Sequence, residues 1–139
     1  VLSLNGITTL AKCTKCYDAD TIHLVIPFNN GYYRWTCRLE EIDSAEIKSK
    51  NKEEQIYATR SRDYLKNMIL DKIVNVKCGK FDKYGRLLID VFMPEHMLDN
   101  PDEPKMLSEW LIEHKYAYAY GGGTKQSWDD FSGNTVQIE

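Results

Sequence analysis

The chain has 139 residues and a formal net charge of −3, with 42% hydrophobic and 28% charged residues. This composition is typical of one globular domain that is large enough for its own core. No apolar run approaches the ~18 residues of a transmembrane helix, so we expect no membrane segment. Because the overall charge is negative, any affinity for nucleic acid must come from a local basic patch.

The sequence begins at Val1 and has neither an initiator methionine nor a signal-like apolar segment. We expect the N-terminus to have been trimmed, so a targeting segment could precede it. The compartment, secreted or intracellular, therefore stays open.

Two of the four cysteines, Cys13 and Cys16, have the CxxC spacing of metal and redox sites. A zinc site usually needs a second close pair, but Cys37 and Cys78 are far apart in the sequence. We therefore favour buried thiols over a zinc or redox site.

The first third of the chain has the residue pattern of β-strands. Residues 7–17 are rich in threonine, residues 21–26 are β-branched and apolar, and residues 32–42 alternate between apolar and polar side chains. The sequence Asn-Asn-Gly at residues 29–31 predicts a tight hairpin turn. In the alternating strand, Arg38 falls on the face opposite the apolar residues.

The rest of the chain predicts a helix over residues 53–70, two strands over 73–78 and 86–92, and a short helix over 106–114. Three strands, a helix, two strands and a helix suit a five-stranded Greek-key barrel of the OB-fold type. We therefore expect an α+β, mainly β, fold with two to three helices.

We assign residues 1–125 to this barrel domain and residues 126–139 to a polar C-terminal tail. Trp128 and Phe131 are the side chains that could anchor the tail. On the first helix, Tyr64 falls on the apolar stripe, and we expect it in the core.

Four short segments place carboxylates and arginines at the ends of the strands. They are residues 17–21 (YDADT), Arg38, residues 43–46 (DSAE) and residues 82–86 (DKYGR). Carboxylate oxygens bind a hard divalent cation, and guanidinium groups pair with phosphate. A site with both groups has what metal-assisted cleavage of a phosphodiester needs.

At these motifs the sequence resembles the staphylococcal nuclease family, over residues 10–125. Residues 82–86 match the third motif of that family without a change. Ala19 replaces the glycine that is usual in the first motif, and Ser44 and Ala45 replace the usual threonine and proline of the second. Three motifs in the same order and at similar spacing make the resemblance specific.

The resemblance implies a Ca²⁺-dependent nuclease that cleaves DNA and RNA, in preference single-stranded or frayed, and leaves 3′-phosphates. Glu46 would activate the attacking water, and Arg38 and Arg86 would bind the scissile phosphate. The remaining implied residues are the Ca²⁺ ligands Asp20, Asp43 and Ser44 (through its carbonyl), Asp18 beside them, and the substrate-phosphate contacts Lys83 and Tyr84.

These residues also have structural alternatives. Asp18 and Asp20 could shape a turn, and Asp43 could cap a loop. The arginines could form ordinary ion pairs: Arg38 with Glu40 or Glu54, and Arg86 with Asp82 or Asp90.

Tyr116, Tyr118 and Tyr120 recur at every second position and share one face of an extended segment. In one interpretation Tyr118 and Tyr120 bind substrate, by stacking on bases or by contacting a phosphate. In the other, these tyrosines pack a terminal segment against the barrel.

Two other functions stay open beside an active nuclease, for which we expect a monomer. A nuclease-fold module that lost catalysis would bind nucleic acid or protein, but the complete set of aspartates, arginines and glutamate favours activity. An unrelated OB-fold domain for single strands would have exposed aromatic side chains on the barrel strands and a basic groove, which the acidic composition disfavours.

Overall fold

Five strands of this chain close into a barrel. The computed structural model describes residues 3–121 and 125–133. The strands are β1 (Thr8–Cys16), β2 (Thr21–Phe28), β3 (Gly31–Leu39), β4 (Ile42–Asp43), β5 (Ile73–Phe81), β6 (Leu87–Val91) and β7 (Tyr118–Ala119). The barrel order is β1–β2–β3–β6–β5, and β5 returns to β1; all pairings are antiparallel except β3 with β6. This confirms the predicted five-stranded, mainly β barrel of the OB-fold type.

The turn between β2 and β3 forms as its sequence predicts. Phe28 pairs with Gly31, so only Asn29 and Asn30 lie in the turn. Both asparagines have a positive φ, of 47° and 63°. Asparagine tolerates this left-handed region better than most residues, and such two-residue turns match the twist of the strands they join. The turn therefore fixes the register of β2 against β3.

Alternate residues of the strands fill the barrel. Ile22, Leu24 and Ile26 of β2 share one core cluster with Leu87 and Ile89 of β6, and all five side chains are fully buried. The period of two along a strand explains this pattern.

All four cysteines are buried free thiols. The Sγ atoms of Cys13 and Cys16 are 3.7 Å apart. The prediction that the cysteines are buried is therefore confirmed, whereas the preference for plain thiols over a zinc or redox site at Cys13 and Cys16 stays a prediction.

The described residues form three α-helices: α1 (Lys52–Ile69), α2 (Leu107–Glu113) and α3 (Trp128–Gly133). A short 3₁₀ helix spans Glu95–Met97 in the loop after β6. In the described part of the chain, no helix is both long enough and apolar enough to cross a membrane.

Helix α1 begins after Asn51, whose side chain accepts hydrogen bonds from the backbone N–H groups of Glu53 and Glu54. Its buried stripe includes Leu65. The prediction that Tyr64 is a core residue is wrong, because its side chain is 49% exposed. Tyr64 lies at the edge of the buried stripe and stacks on Tyr116.

Helix α3 packs on the barrel domain. The Phe131 side chain is buried, and its ring centroid is 5.5 Å from that of Tyr57 and 5.3 Å from that of Tyr118. Part of the predicted tail thus joins a small second core, whereas residues 134–139 lie outside the described residues. The division of the chain at residue 125 stays a prediction.

The barrel brings three segments together at one of its ends. Asp20 directly precedes β2, Arg38 lies near the end of β3, and the strand register pairs Thr21 with Arg38. The short β4–β7 ladder then pairs Asp43 with Tyr118. Residues that are distant in sequence therefore meet at this end.

The barrel core predicts a large effect of one substitution. Ile89→Ala should lower the free energy of unfolding by about 2–5 kcal/mol, because it leaves a cavity in a fully buried site. Urea denaturation would measure the loss. Ile56→Ala on the exposed face of α1 is the control, and it should change the stability by about 0.5 kcal/mol or less. Equal losses would contradict this description of the core.

Candidate active site

A buried arginine lies between two buried carboxylates at this end of the barrel. Nη1 of Arg38 is 3.2 Å from Oδ2 of Asp20, and Nη2 is 3.2 Å from Oδ1 of Asp43. The three residues are only 7%, 5% and 2% exposed. Arg38 lies on the predicted face of β3, but the alternative of a solvated arginine paired with Glu40 or Glu54 is wrong.

The contacts of the two Arg38 nitrogens differ. Nη2 donates a hydrogen bond to Asp43, whereas buried Nη1 has no hydrogen-bond partner among the described residues. Its contact with Asp20 is within ion-pair distance but lacks hydrogen-bond geometry. Arg38 therefore keeps one buried donor that a further acceptor could use.

The loop between β1 and β2 is shaped by Asp18. Its Oδ1 accepts hydrogen bonds from the backbone N–H groups of Asp20 (3.1 Å) and Thr21 (2.8 Å). These bonds are typical of an Asx turn, which is the structural role that the sequence left open for Asp18. The turn holds Asp20 beside Arg38, so Asp18 shapes the loop that carries the Asp20 carboxylate.

Asp20 joins this loop to the segment after β4. Its Oδ2 accepts hydrogen bonds from the backbone N–H (3.1 Å) and the hydroxyl (2.9 Å) of Ser44, and its Oδ1 accepts one from the hydroxyl of Thr21 (2.9 Å). Ser44 is therefore held at the site through its side chain as well as its backbone.

Asp43 is held by residues from the C-terminal part of the chain. Its Oδ2 accepts a 2.7 Å hydrogen bond from the Tyr118 hydroxyl and lies 3.6 Å from Nζ of Lys125. The half-buried Tyr118 ring packs on Phe131, and its hydroxyl also accepts a bond from the backbone N–H of Gln126. The structure thus places Tyr118 as a support for Asp43.

The three aspartates influence one another's ionisation. Burial and the negative charge of Asp20 raise the pKa of Asp18 to about 8. Burial also opposes ionisation of Asp20, but the hydrogen bond with Asp18 and the charge of Arg38 outweigh it and lower the pKa of Asp20. Burial raises the pKa of Asp43, which the Tyr118 hydrogen bond partly offsets. The cluster thus holds more acidic groups than one arginine neutralises.

The chemistry of these donor groups suits a divalent cation. Asp20 and Asp43 are buried hard-oxygen donors that converge on one positive charge, and a cation would relieve the cost of ionising both. In the ranges 3–121 and 125–133, no three His, Cys, Asp or Glu side chains form a metal-binding group. A cation here would therefore need other oxygens, such as the Ser44 carbonyl and water.

Glu46 lies at the exposed edge of the cluster. Its side chain is 59% exposed, and Oε1 is 3.9 Å from Nζ of Lys125. Its backbone N–H donates a 3.0 Å hydrogen bond to Oε2 of Glu54 on α1. Burial raises the pKa of Glu46, whereas the charge of Lys125 lowers it. Glu46 is thus a carboxylate that water can reach, held from α1 through its backbone.

The third motif forms the turn between β5 and β6. Oδ1 of Asp82 accepts hydrogen bonds from the backbone N–H groups of Tyr84 and Arg86, both 2.9 Å long. Oδ2 of Asp82 is 2.8 Å from Nε of Arg86, and Gly85 supplies the positive φ of 82° that the turn needs. The predicted alternative of an Arg86–Asp82 pair is therefore present.

Lys83 and Tyr84 of this turn are exposed, whereas Asp82 and Arg86 are partly buried. Tyr84 is largely exposed, and the cationic groups of Lys83 and Arg86 lie 5.2 and 5.4 Å from its ring centroid. Because Asp82 engages Nε of Arg86, the pair positions the guanidinium without enclosing it.

An open cleft of about 600 Å³ joins the two arginines. Its lining includes Arg38, Lys83, Tyr84, Arg86, Tyr120 and Lys125. Five of the predicted residues therefore meet at one surface. Glu46 and the aspartates Asp18, Asp20 and Asp43 belong to the adjoining cluster.

Three contributing residues were not predicted from the sequence. They are Thr21, Glu54 and Lys125, which contact Asp20, Glu46 and Asp43. Thr21 is the last residue of the first motif, so its hydroxyl was a detectable signal. Glu54 and Lys125 belong to no motif, and only the folded chain brings them to the site.

A known protein family matches most of this chain. The family model of staphylococcal nuclease homologues matches residues 36–132, which is more than half of the chain. The matched range begins within β3 and ends within α3, so it contains Arg38, Glu46 and Arg86, whereas Asp20 precedes it. No curated protein matches the chain with significance.

The buried ion pairs predict that Arg38 supports the fold. Arg38→Ala should lower the free energy of unfolding by about 3–5 kcal/mol, because two buried carboxylates lose their counter-charge. Arg62→Ala, which breaks an exposed pair with Asp63, should cost about 1 kcal/mol or less. Urea denaturation of both variants would test this, and similar losses would show that the Arg38 pairs contribute no special stability.

Proposed function

Since the chain belongs to the family of staphylococcal nuclease homologues, we propose that it hydrolyses phosphodiester bonds of DNA and RNA with Ca²⁺. The observation that carries the proposal is the cleft where Arg38 and Arg86 meet beside two buried aspartates and Glu46. A phosphodiester repels nucleophiles through its negative charge, and this cleft offers cations, acidic oxygens and a base together.

The two arginines bind the scissile phosphate in this proposal. Arg38 keeps the unused donor at Nη1, and Arg86 is oriented by Asp82 from its Nε side. Guanidinium groups offer planar pairs of donors that match phosphate oxygens. Because both side chains are held before substrate arrives, little reorganisation is needed as charge grows in the transition state.

Glu46 acts as the general base. Its exposed carboxylate takes a proton from a water molecule, whose oxygen then attacks phosphorus. The bond from phosphorus to the 5′-oxygen breaks, that oxygen takes up a proton from solvent, and the phosphate stays on the 3′-oxygen. Lys125 lies 3.9 Å from Glu46 and 3.6 Å from Asp43, so its charge offsets the repulsion between them.

The carboxylates of Asp20 and Asp43 and the carbonyl of Ser44 would hold the Ca²⁺. When bound, the ion supplies charge neutralisation at the phosphate. Asp18 keeps the Asp20 loop in place, and Tyr118 does the same for Asp43. Lys83, Tyr84 and Tyr120 line the same cleft, and in this proposal they contact the substrate.

One observation favours a second function, a nuclease-fold module that binds without cleaving. Each carboxylate oxygen of Asp20 and Asp43 already contacts a donor group of the protein. A cation would have to compete with Arg38 and Tyr118 for these oxygens. Cleavage and binding must therefore be measured separately.

The proposed chemistry predicts the behaviour of a labelled single-stranded oligonucleotide. The chain should cleave it in Ca²⁺, stop when a chelator is added, and leave 3′-phosphate ends. Glu46→Gln should reduce turnover by about 10²–10⁴-fold, since the base is lost. Arg86→Gln should reduce it by about 10²–10³-fold, since a donor to the developing charge is lost.

Glu53→Gln and Arg60→Gln on exposed α1 positions are the matched controls, and they should keep wild-type turnover. Cleavage that persists in chelator contradicts the role of Ca²⁺. Full turnover in Glu46→Gln contradicts the assignment of the base. Binding in Ca²⁺ with no cleavage at all supports the second function.

The cation site also predicts an effect on stability that needs no catalysis. Ca²⁺ at about 100 times its dissociation constant should add about 2.7 kcal/mol to the free energy of unfolding. Asp43→Asn should lose this gain because it removes a charged ligand, whereas Asp63→Asn on α1 should keep it. Thermal unfolding in Ca²⁺ and in chelator would measure both, and an equal gain in the two variants would contradict the site.

A further inference from the structure

One outer face of the barrel is basic although the chain as a whole is acidic. Strands β1, β2 and β3 contain no aspartate or glutamate. The same strands carry Lys12, Lys15, His23 and Arg34 beside Arg38 of the cleft. Since the net charge is −3, the acidic residues are segregated to other parts of the molecule.

The strand register places these side chains in adjacent rows. Lys12 pairs with Val25, which pairs with Arg34. In the next row toward Arg38, Lys15 pairs with His23. Burial and the positive charges of Lys15 and Arg34 lower the pKa of His23, which agrees with their proximity.

Within residues 3–121 and 125–133, the cations of this face have no internal counter-charge. Lys12, Lys15 and Arg34 are exposed. In the part of the chain that the structure describes, none of the three forms an ion pair. Unpaired positive charges on one face attract a polyanion, because its counterions are released on binding.

An exposed aromatic ring belongs to the same face. Tyr32 is 79% exposed and lies two residues before Arg34 on β3. Residues two apart on a strand share a face, so Tyr32, Arg34 and Arg38 lie in one line. We call Lys12, Lys15, His23, Tyr32 and Arg34 the outer basic face.

This line leads to the candidate active site. The pairing of β3 with β2 runs from Gly31 to Arg38 without a register shift. At a rise of about 3.3 Å per residue, Arg34 lies about 13 Å from Arg38 and Tyr32 about 20 Å. A strand of nucleic acid held at Arg38 would therefore reach both residues within a few nucleotides.

We propose that the outer basic face is a second contact surface for single-stranded nucleic acid, continuous along β3 with the cleft. The proposal deepens the proposed nuclease function and rests on it for the path of the substrate through Arg38. The cations contact phosphates, and Tyr32 stacks on a base, which is a combination that tolerates any sequence. The exposed aromatic and basic strand residues expected of a single-strand-binding barrel are thus present.

Binding is tested in a chelator, so that cleavage plays no part. The probe is a fluorescein-labelled oligothymidylate of about 16 nucleotides, the upper site size of an OB-fold, measured by fluorescence anisotropy. The variant Lys12→Gln/Lys15→Gln/Arg34→Gln should bind at least about tenfold more weakly. Its plot of log K against log salt concentration should be less steep, with the magnitude of the slope reduced by roughly 2. Tyr32→Ala should weaken binding by about tenfold through lost stacking.

The matched control loses three charges elsewhere. Lys52→Gln/Arg60→Gln/Lys80→Gln changes exposed cations outside the outer basic face. It should keep the wild-type salt slope. Equal affinity of the two triple variants would overturn the proposal, as would binding of anionic phospholipid vesicles without binding of the oligonucleotide.

Cleavage in Ca²⁺ separates this proposal from the nuclease function. The outer-face variant should raise KM for the long oligonucleotide relative to KM for a dinucleotide. An unchanged ratio in an active enzyme would overturn the contact surface and leave the nuclease function standing. Wild-type binding that depends on the outer basic face, with no cleavage, would support the surface and contradict the nuclease function.

Discussion

The contact of Arg38 with Asp20 and Asp43 is the interaction on which the rest of this site depends. Each charge is buried and would be costly alone, so the arginine and the carboxylates require one another. The pairs also join the β1–β2 loop, the end of β3 and the β4 segment. Ser44 and Tyr118 extend this network by hydrogen bonds. The positions of these segments thus follow from electrostatics as much as from apolar packing.

The two arginines of the cleft are positioned in different ways. Arg38 is fixed by contacts that span the fold, whereas Arg86 is held by Asp82 within one turn. Losing Arg38 therefore removes a structural counter-charge together with the proposed phosphate ligand. We expect the barrel to tolerate the loss of Arg86, so this position separates the proposed catalysis from stability more cleanly.

Local sequence patterns correctly predicted the features that depend on local backbone geometry. The alternation in β3 placed Arg38 on the correct face, and the asparagine pair predicted the hairpin, because both follow from backbone geometry. The burial of Arg38 could not be predicted, because it depends on contacts between distant parts of the chain. Tyr118, which supports the Asp43 partner of Arg38, lies 75 residues after Asp43 in the sequence. The same holds for Tyr118. The period of two among the tyrosines predicted that they share a face, but it could not predict that the Tyr118 hydroxyl bonds to Asp43.

Ala45 shows how this chain fixes a loop without the proline that is usual in the family motif. Proline restricts the backbone by itself, whereas alanine must be held by its surroundings. Ala45 is 3% exposed and packs in a cluster with Tyr57 of α1 and Phe131 of α3. The loop that carries Asp43 and Glu46 is therefore held by two helices. Helix α3, although it belongs to the predicted tail, thereby contributes to the geometry of the site.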